Sequence, residues 1–336
     1  MAQRPMKILC YTVLVSAWLG MSCITDAPHD NPLDPQNPNS TLTLRGRVFT
    51  LYPPYQGIAG VGVWLEPLHR FTRTDEAGAF GFTDLKTGTY TVVTTMEGYA
   101  SDTMEVVLKN PVNVEIYLDA LPQFRQIVLT SHHYARFFPP DDLYFLTIDV
   151  LVSDRDGHSD IVRMWYELPD LTLQDTLRLV EFPDAYSARF IAQRTPEDYQ
   201  IASLHLLIGK AFTFRVEDKP GMRTVSPAFY LTRIVETIPV HVQPTGLVSL
   251  PVTQDSIRFE WEPVVLPYPF SFRIEIYRLD FGVTTLVSRI DGIASNRVDY
   301  LYKNDLTPGD HLWFLYVVDE YGNTGRSREG AFRIVP

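Results

Sequence analysis

The sequence predicts an all-β protein, with three tandem β-sandwich domains after a signal peptide and a proline-rich tether. Short runs that alternate apolar and polar residues recur from residue 41 to the C-terminus, separated by Gly, Asp and Pro. The chain has 336 residues, enough for about two or three domains. Its 18 Tyr, 19 Phe and 25 Pro favour strands and turns over helices.

Charge and cysteine content exclude several classes of protein. The chain carries 29 Lys and Arg against 40 Asp and Glu, a net charge of -11. A nucleic-acid partner is therefore not expected, because binding to phosphates needs clustered cations. The 2 cysteines, Cys10 and Cys23, are too few for a disulfide framework or a cysteine-rich zinc site.

The N-terminus has the pattern of a signal peptide. Arg4 and Lys7 precede an apolar run over residues 8–19, which is shorter than the roughly 20 residues that span a bilayer. The run ends in Leu-Gly-Met-Ser-Cys at residues 19–23 and resembles a bacterial lipoprotein signal. The resemblance implies that residues 1–22 are removed and that acyl chains such as palmitate are attached at Cys23. The alternative is an ordinary secretory signal followed by an incidental thiol.

Residues 23–40 form a Pro/Asn/Asp-rich segment with prolines at Pro28, Pro32, Pro35 and Pro38. Proline fixes φ and removes a backbone donor, so we expect an extended, unpacked tether. The segment is similar to the tethers of Bacteroidetes surface lipoproteins. With the lipid signal, it implies a protein anchored in a bacterial outer membrane, exposed at the surface or facing the periplasm.

Residues 41–120 form the first predicted domain. Alternating strands flank the turn Thr-Asp-Glu-Ala-Gly at residues 74–78, and Leu-Lys-Thr-Gly-Thr-Tyr follows at residues 85–90. The module resembles the carboxypeptidase regulatory-like (transthyretin-like) domain, which implies a structural or interaction role without peptidase chemistry. The matching positions are Gly46, Gly60, Thr74, Asp75, Gly78, Phe80, Phe82, Leu85, Gly88 and Tyr90.

Residues 121–236 form the second predicted domain. Strand patterns at residues 144–152 and 162–168 flank an Asp-x-Asp-Gly-x-x-Asp-Ile turn, and a further strand at 211–216 leads into the turn at Asp218. These features resemble immunoglobulin-like domains of bacterial surface proteins. Thr195 followed by Pro196 also predicts the start of one short helix.

Residues 237–336 form the third predicted domain, which resembles a fibronectin type III domain. Trp261 is the expected core tryptophan, Leu306 precedes Pro-Gly at residues 308–309, and an Asp-x-x-Gly-Asn turn occupies residues 319–323. His311 stands where the family usually has Tyr, so the usual tyrosine-corner hydrogen bond is not expected.

The run Asp-Arg-Asp-Gly-His-Ser-Asp at residues 154–160 has two interpretations. In the favoured one it is a tight Asx-type turn in which Asp154 and Asp160 accept backbone N–H groups. In the other, Asp154, Asp156 and Asp160 are the first ligands of a calcium loop, since Ca²⁺ takes several oxygen ligands. Against calcium, Arg155 adds a cation and Trp165 stands where a calcium loop has its bidentate Glu. No other cofactor is expected.

Two further features have weaker functional interpretations. Trp64 alternates with Val63 and Leu65, so it should face solvent, where it could stack on a sugar ring or pack against another domain. The neighbours His132 and His133 should point to opposite faces of a strand, which excludes a joint metal site and indicates a surface strand between modules.

No motif for catalysis is present. The sequence lacks a Gly-x-Ser-x-Gly elbow, a phosphate-binding Gly-x4-Gly-Lys loop, a His-Glu-x-x-His pair and a dinucleotide fingerprint. We therefore expect a non-catalytic, lipid-anchored cell-envelope protein for binding, adhesion or scaffolding, with an unidentified protein or polysaccharide as partner. The alternatives are a carbohydrate-binding lipoprotein of a polysaccharide-uptake system and an accessory subunit of a separate envelope enzyme or secretion complex.

Overall fold

The computed structural model describes residues 41–336. They divide into two compact units, the first ending at Leu118 and the second comprising Asp119–Pro336. In this part of the chain the secondary structure is strand, apart from three short 3₁₀ helices at His158–Asp160, Pro169–Leu171 and Leu204–Leu207. No helix among the described residues is long and apolar enough to cross a membrane.

The first unit is one β-sandwich. Its sheets have the strand orders β4-β1-β7 and β3-β2-β5-β6, and β1 pairs with β7 in parallel. The strands are β1 (Leu42–Thr50), β2 (Gly62–Glu66), β3 (Arg70–Arg73), β4 (Ala79–Leu85), β5 (Gly88–Thr95), β6 (Asp102–Leu108) and β7 (Val112–Leu118). As the alternation predicts, Phe80 and Phe82 of β4 are buried in the core between the sheets.

The turn before β4 shows why the motif has these residues. The Asp75 carboxylate accepts the backbone N–H groups of Ala77 and Ala79 at 2.9 and 2.8 Å. Gly78 has φ of +74°, and a Cβ there would lie 2.4 Å from the carbonyl oxygen of Val48. Glycine is therefore required both by conformation and by close approach.

The second unit contains two further sandwiches. The second sandwich packs the sheet β11-β10-β14-β15 against strands β12-β13-β9-β8. Its strands are β8 (Gln123–Tyr134), β9 (Leu143–Ser153), β10 (Ile161–Leu168), β11 (Leu173–Thr176), β12 (Arg178–Glu181), β13 (Ser187–Arg194), β14 (Ala211–Asp218) and β15 (Arg223–Tyr230).

The third sandwich packs the sheet β16-β18-β21 against strands β23-β22-β19-β20, and β24 pairs with both β17 and β22. Trp261 is buried in its core, as predicted. The strands are β16 (His241–Gln243), β17 (Val248–Pro251), β18 (Ser256–Trp261), β19 (Phe270–Asp280), β20 (Val283–Ala294), β21 (Asp299–Lys303), β22 (Gly309–Asp319), β23 (Thr324–Arg326) and β24 (Gly330–Val335).

One continuous sheet joins the second and third sandwiches. Strand β8 pairs in parallel with β23, so that His132 lies opposite Thr324 and Tyr134 opposite Arg326. The resulting sheet has ten strands and contributes one layer to each sandwich. Backbone hydrogen bonds thus cross from one sandwich to the other.

A buried asparagine strengthens this junction. Asn323 is fully buried, and its side-chain oxygen accepts the N–H of Ser131 at 2.8 Å. Its amide group donates to Asp319 at 2.9 Å and to Thr232 at 3.3 Å. A buried amide with all of these partners fixes one arrangement of the two sandwiches, because other registers would leave polar groups unsatisfied.

Two local expectations are corrected. His132 and His133 point to opposite faces, but they lie inside the junction and not on a surface strand. His133 is buried, and its Nε2 lies 2.9 Å from a carboxylate oxygen of Asp142. The ring of His132 stacks on that of Phe145, with ring centroids 4.5 Å apart. Thr195 begins a turn and not a helix, because Gln200 adopts φ of +55° and ends it.

His311 replaces the usual tyrosine of the fibronectin pattern, and here the structure agrees with the sequence. The side chain is buried, and its Nδ1 lies 3.1 Å from the carbonyl oxygen of Gly309, two residues away. The imidazole therefore makes a local contact within its own strand, and the absence of a tyrosine corner at this position agrees with the sequence prediction.

Candidate functional site: a buried carboxylate cluster

Strand ends bring five aspartates together at one end of the second sandwich. The turn at residues 154–160 connects β9 to β10, and Ile161 of β10 pairs with Asp218 at the end of β14. Gln123, which begins β8, pairs with Ser153 at the end of β9, so the segment before β8 reaches the same end. The cluster, called the carboxylate cluster below, consists of Asp119, Asp154, Asp156, Asp160 and Asp218.

Two overlapping triads make up the carboxylate cluster. One carboxylate oxygen from each of Asp154, Asp160 and Asp218 lies within 4.8 Å of the others, and the same is true of Asp119, Asp156 and Asp160. Asp160 belongs to both triads. The side chains of the first triad come from residues that are each only 1% exposed.

The glycines of two turns allow this arrangement. Gly157 has φ of +108° and Gly221 has φ of +94°, conformations that residues with a Cβ rarely adopt. Asp154 accepts the N–H of Asp156 at 2.9 Å, and Asp218 accepts the N–H groups of Gly221 and Met222. The favoured prediction of an Asx-type turn is correct for Asp154 and wrong for Asp160, whose carboxylate accepts no backbone N–H.

These turn bonds leave several oxygens without a partner. Neither oxygen of Asp160 has a hydrogen-bond donor, and one oxygen of Asp154 and one of Asp218 also lack one. Both oxygens of Asp119, which is 9% exposed, also lack a hydrogen-bond donor. Asp156 differs, since it accepts the N–H of Ala120 at 2.7 Å. A buried carboxylate oxygen without a donor or a cation is costly, so the turns do not account for all of the cluster.

The electrostatics of the carboxylate cluster reflect burial and mutual repulsion. Burial, followed by the charges of Asp218, Asp160 and Asp156, raises the pKa of Asp119 to about 7. Burial is also the main cause that raises the pKa of Asp154 to about 7. The pKa values of Asp156 and Asp218 are raised by burial as well. The site therefore disfavours negative charge in the absence of a counter-ion.

The sequence predicts part of this cluster. In the calcium interpretation of residues 154–160, Asp154, Asp156 and Asp160 are the ligands, and the structure places all three in the cluster. Asp218 was predicted as a turn residue only, yet its second oxygen faces the other carboxylates. The sequence does not predict Asp119 as a member of the cluster. The one sequence feature that could indicate it is its position directly after the last strand of the first domain.

The remaining predicted site residues lie elsewhere. Trp64 of β2 faces outward as predicted, with 41% of its surface exposed, and its ring lies 4.7 Å from that of Phe71 on β3. Val63 and Leu65 are fully buried on the opposite face. Sugar stacking by Trp64 stays a prediction. Cys23, the predicted lipid attachment site, lies outside the described residues.

The N-terminal part of the described chain matches one known family model. Residues 44–126 match the model of the CarboxypepD_reg-like domain. Among curated proteins, none has significant sequence similarity to this chain.

Solved structures that match this chain include a point variant of the major pilin subunit BcpA of Bacillus cereus, at 12% identity and a TM-score of 0.32, covering 84% of this chain and 91% of the pilin. A DUF3823 family protein from Bacteroides ovatus has 11% identity and a TM-score of 0.24, covering 56% of this chain and 97% of that protein. Fibronectin(III)-like modules of Clostridium thermocellum CbhA have 12% identity and a TM-score of 0.28, covering 64% of this chain and 93% of those modules.

Similarities of this size carry no inference about ligands or partners. The three hydrophobic cores, the pairing of the strands and the family match agree on the architecture. The chain is thus a multi-domain β-sandwich protein in which residues 44–126 match the CarboxypepD_reg-like domain model.

Proposed function

We propose that this chain is a non-catalytic protein of the bacterial cell envelope, anchored in the outer membrane by lipid at Cys23, and that its sandwiches serve binding, adhesion or scaffolding. The observation that carries the scaffolding part is the continuous sheet through the second and third sandwiches. Tandem domains joined by paired strands and a buried polar junction can present a binding surface in a fixed orientation.

Edge strands supply a place for a partner. The continuous sheet ends at β12 on one side and at β20 on the other, and β20 carries the exposed side chains of Val283, Leu286 and Val287. An edge strand has free backbone N–H and C=O groups that can pair with an extended segment of another protein. Strand addition is therefore the proposed mode for a protein partner.

Lipid anchoring is tested by mass spectrometry and by detergent partitioning of the full chain expressed in a bacterium with a lipoprotein pathway. We expect wild type to partition into detergent and its N-terminal peptide to carry the mass of acyl chains on Cys23. Cys23→Ala should remain in the aqueous phase. Cys10→Ala is the matched control, because Cys10 lies within the predicted signal peptide. Equal partitioning of Cys23→Ala and wild type would contradict the anchor.

The aromatic pair on the first sandwich favours a second candidate function, the binding of a polysaccharide. Trp64 and Phe71 are 41% and 46% exposed, and the guanidinium of Arg73 lies 5.6 Å from the Phe71 ring centroid. Exposed aromatic rings beside a donor can stack on sugars and bind hydroxyl groups. Affinity electrophoresis in gels containing polysaccharide tests this function.

The electrophoresis compares Trp64→Ala with Tyr230→Ala, a control that removes an exposed aromatic ring from the second sandwich. Sugar stacking predicts retardation of wild type and of Tyr230→Ala, and loss of retardation for Trp64→Ala. If all three proteins migrate alike, Trp64 and Phe71 do not bind the polysaccharides tried, and the binding of a protein partner remains the proposed function.

A further inference from the structure

We infer that Asp154, Asp160 and Asp218 bind a calcium ion, and that Asp119 and Asp156 add negative charge beside it. The inference concerns the second sandwich alone and does not depend on lipid anchoring or on the identity of a partner. It differs from the calcium loop considered for residues 154–160, because the third ligand comes from the end of β14 and not from a downstream residue of the same loop.

The spacing of the oxygens suits the ion. Calcium binds oxygen ligands at about 2.3–2.6 Å, so two ligands on opposite sides of the ion are about 4.6–5.2 Å apart. The selected oxygens of Asp154, Asp160 and Asp218 all lie within 4.8 Å of one another. An ion at the centre of these three oxygens would therefore lie at most about 2.8 Å from each of them, close to the calcium–oxygen distance.

The unpartnered oxygens point to a missing positive charge. Asp154, Asp160 and Asp218 are 1% exposed, and together they have four buried carboxylate oxygens without a hydrogen-bond partner. Carboxylates buried in this way are normally paired or coordinate metals. Asp160 is the most telling member, since neither of its oxygens accepts a hydrogen bond and it belongs to both triads.

The donor set selects the kind of metal. Neither triad contains His or Cys, which argues against zinc, copper and other metals that favour nitrogen or sulfur ligands. Calcium accepts 6–8 oxygens in irregular geometry, including bidentate carboxylates, whereas magnesium requires near-octahedral geometry and retains several waters. Asp160 and its neighbours provide several unpartnered carboxylate oxygens in an irregular arrangement, which favours calcium.

Isothermal titration calorimetry of the chelator-treated full chain with calcium chloride tests the inference, with magnesium chloride in parallel. We expect saturable calcium binding, at least tenfold weaker magnesium binding, and at least tenfold weaker calcium binding by Asp160→Asn and Asp218→Asn. Asp141→Asn, which alters an exposed aspartate outside the cluster, should bind as wild type does. No calcium binding by wild type, or unchanged binding by Asp160→Asn, would overturn the inference, as would equal affinity for magnesium.

Thermal unfolding provides a second readout that also shows whether the variants fold. In excess chelator, Asp160→Asn should melt at or above the temperature of wild type, because it removes repulsion among the carboxylates. In calcium the order should reverse, since only wild type gains stability from the ion. If calcium shifts the melting temperature of wild type and Asp160→Asn equally, the ion does not bind at this cluster.

Discussion

Replacing Asn323 by alanine removes the side chain that joins the second and third sandwiches. The Ser131 N–H, whose acceptor lies at 2.8 Å, would be left buried without a partner. Asp319 would lose a donor at 2.9 Å but keep the N–H groups of Tyr321 and residue 323. A buried polar group without a hydrogen-bond partner, here the Ser131 N–H, costs about 1–3 kcal/mol, and the lost hydrogen bond to the Asp319 carboxylate adds to this. We therefore expect Asn323→Ala to lower the free energy of unfolding by about 3 kcal/mol.

The assay is guanidinium unfolding of the full chain, combined with hydrogen exchange at the Ser131 amide. Asn296→Ala, at an exposed turn of the third sandwich, is the control and should change stability by less than about 0.5 kcal/mol. Asn323→Ala should lower the unfolding midpoint and speed exchange of the Ser131 amide. An Asn323→Ala protein as stable as the control, with the Ser131 amide still protected, would refute the role of this junction.

Two other features give predictions. Burial, with a smaller contribution from Arg273, lowers the pKa of His132 to about 4, and burial does the same for His241. Below about pH 6.5 the unfolded chain binds protons that the folded chain does not, so stability should fall as the pH drops to about 4, by at most about 3 kcal/mol for each histidine. His132→Phe should reduce this dependence of the unfolding midpoint on pH. An unchanged dependence would contradict the lowered pKa of His132. A Cβ on Gly325 would lie 2.7 Å from a backbone carbonyl oxygen, so Gly325→Ala should cost at least about 2 kcal/mol in denaturant titrations. Gly81→Ala is the control: its nearest neighbours lie at 3.8 Å, and it should stay within about 1 kcal/mol of wild type. Equal effects of the two substitutions would show that the backbone around Gly325 shifts to accept a Cβ.

Local patterns in the sequence predicted the fold class and the core-facing residues. Phe80, Phe82 and Trp261 are buried because side chains alternate between faces along a strand, a period that can be read without knowing the partner strand. The Asp75 turn was equally predictable, since both of its hydrogen bonds are made within four residues.

Contacts between distant segments were not predictable in this way. The hydrogen bond from Ser131 to Asn323 spans 192 residues, and the pairing of β8 with β23 has no local signature. The carboxylate cluster has the same origin. Asp160 and Asp218 meet because β10 and β14 pair in one register, and a shift of that register by one residue would turn Asp218 to the other face.

A crystal structure of the protein grown in calcium chloride, with anomalous data collected at long wavelength, tests the calcium site most directly. We expect an anomalous peak bonded to Asp154, Asp160 and Asp218 at about 2.3–2.6 Å, the calcium–oxygen distance. A cluster without an anomalous peak, in which the carboxyl groups share protons through direct hydrogen bonds, would contradict it.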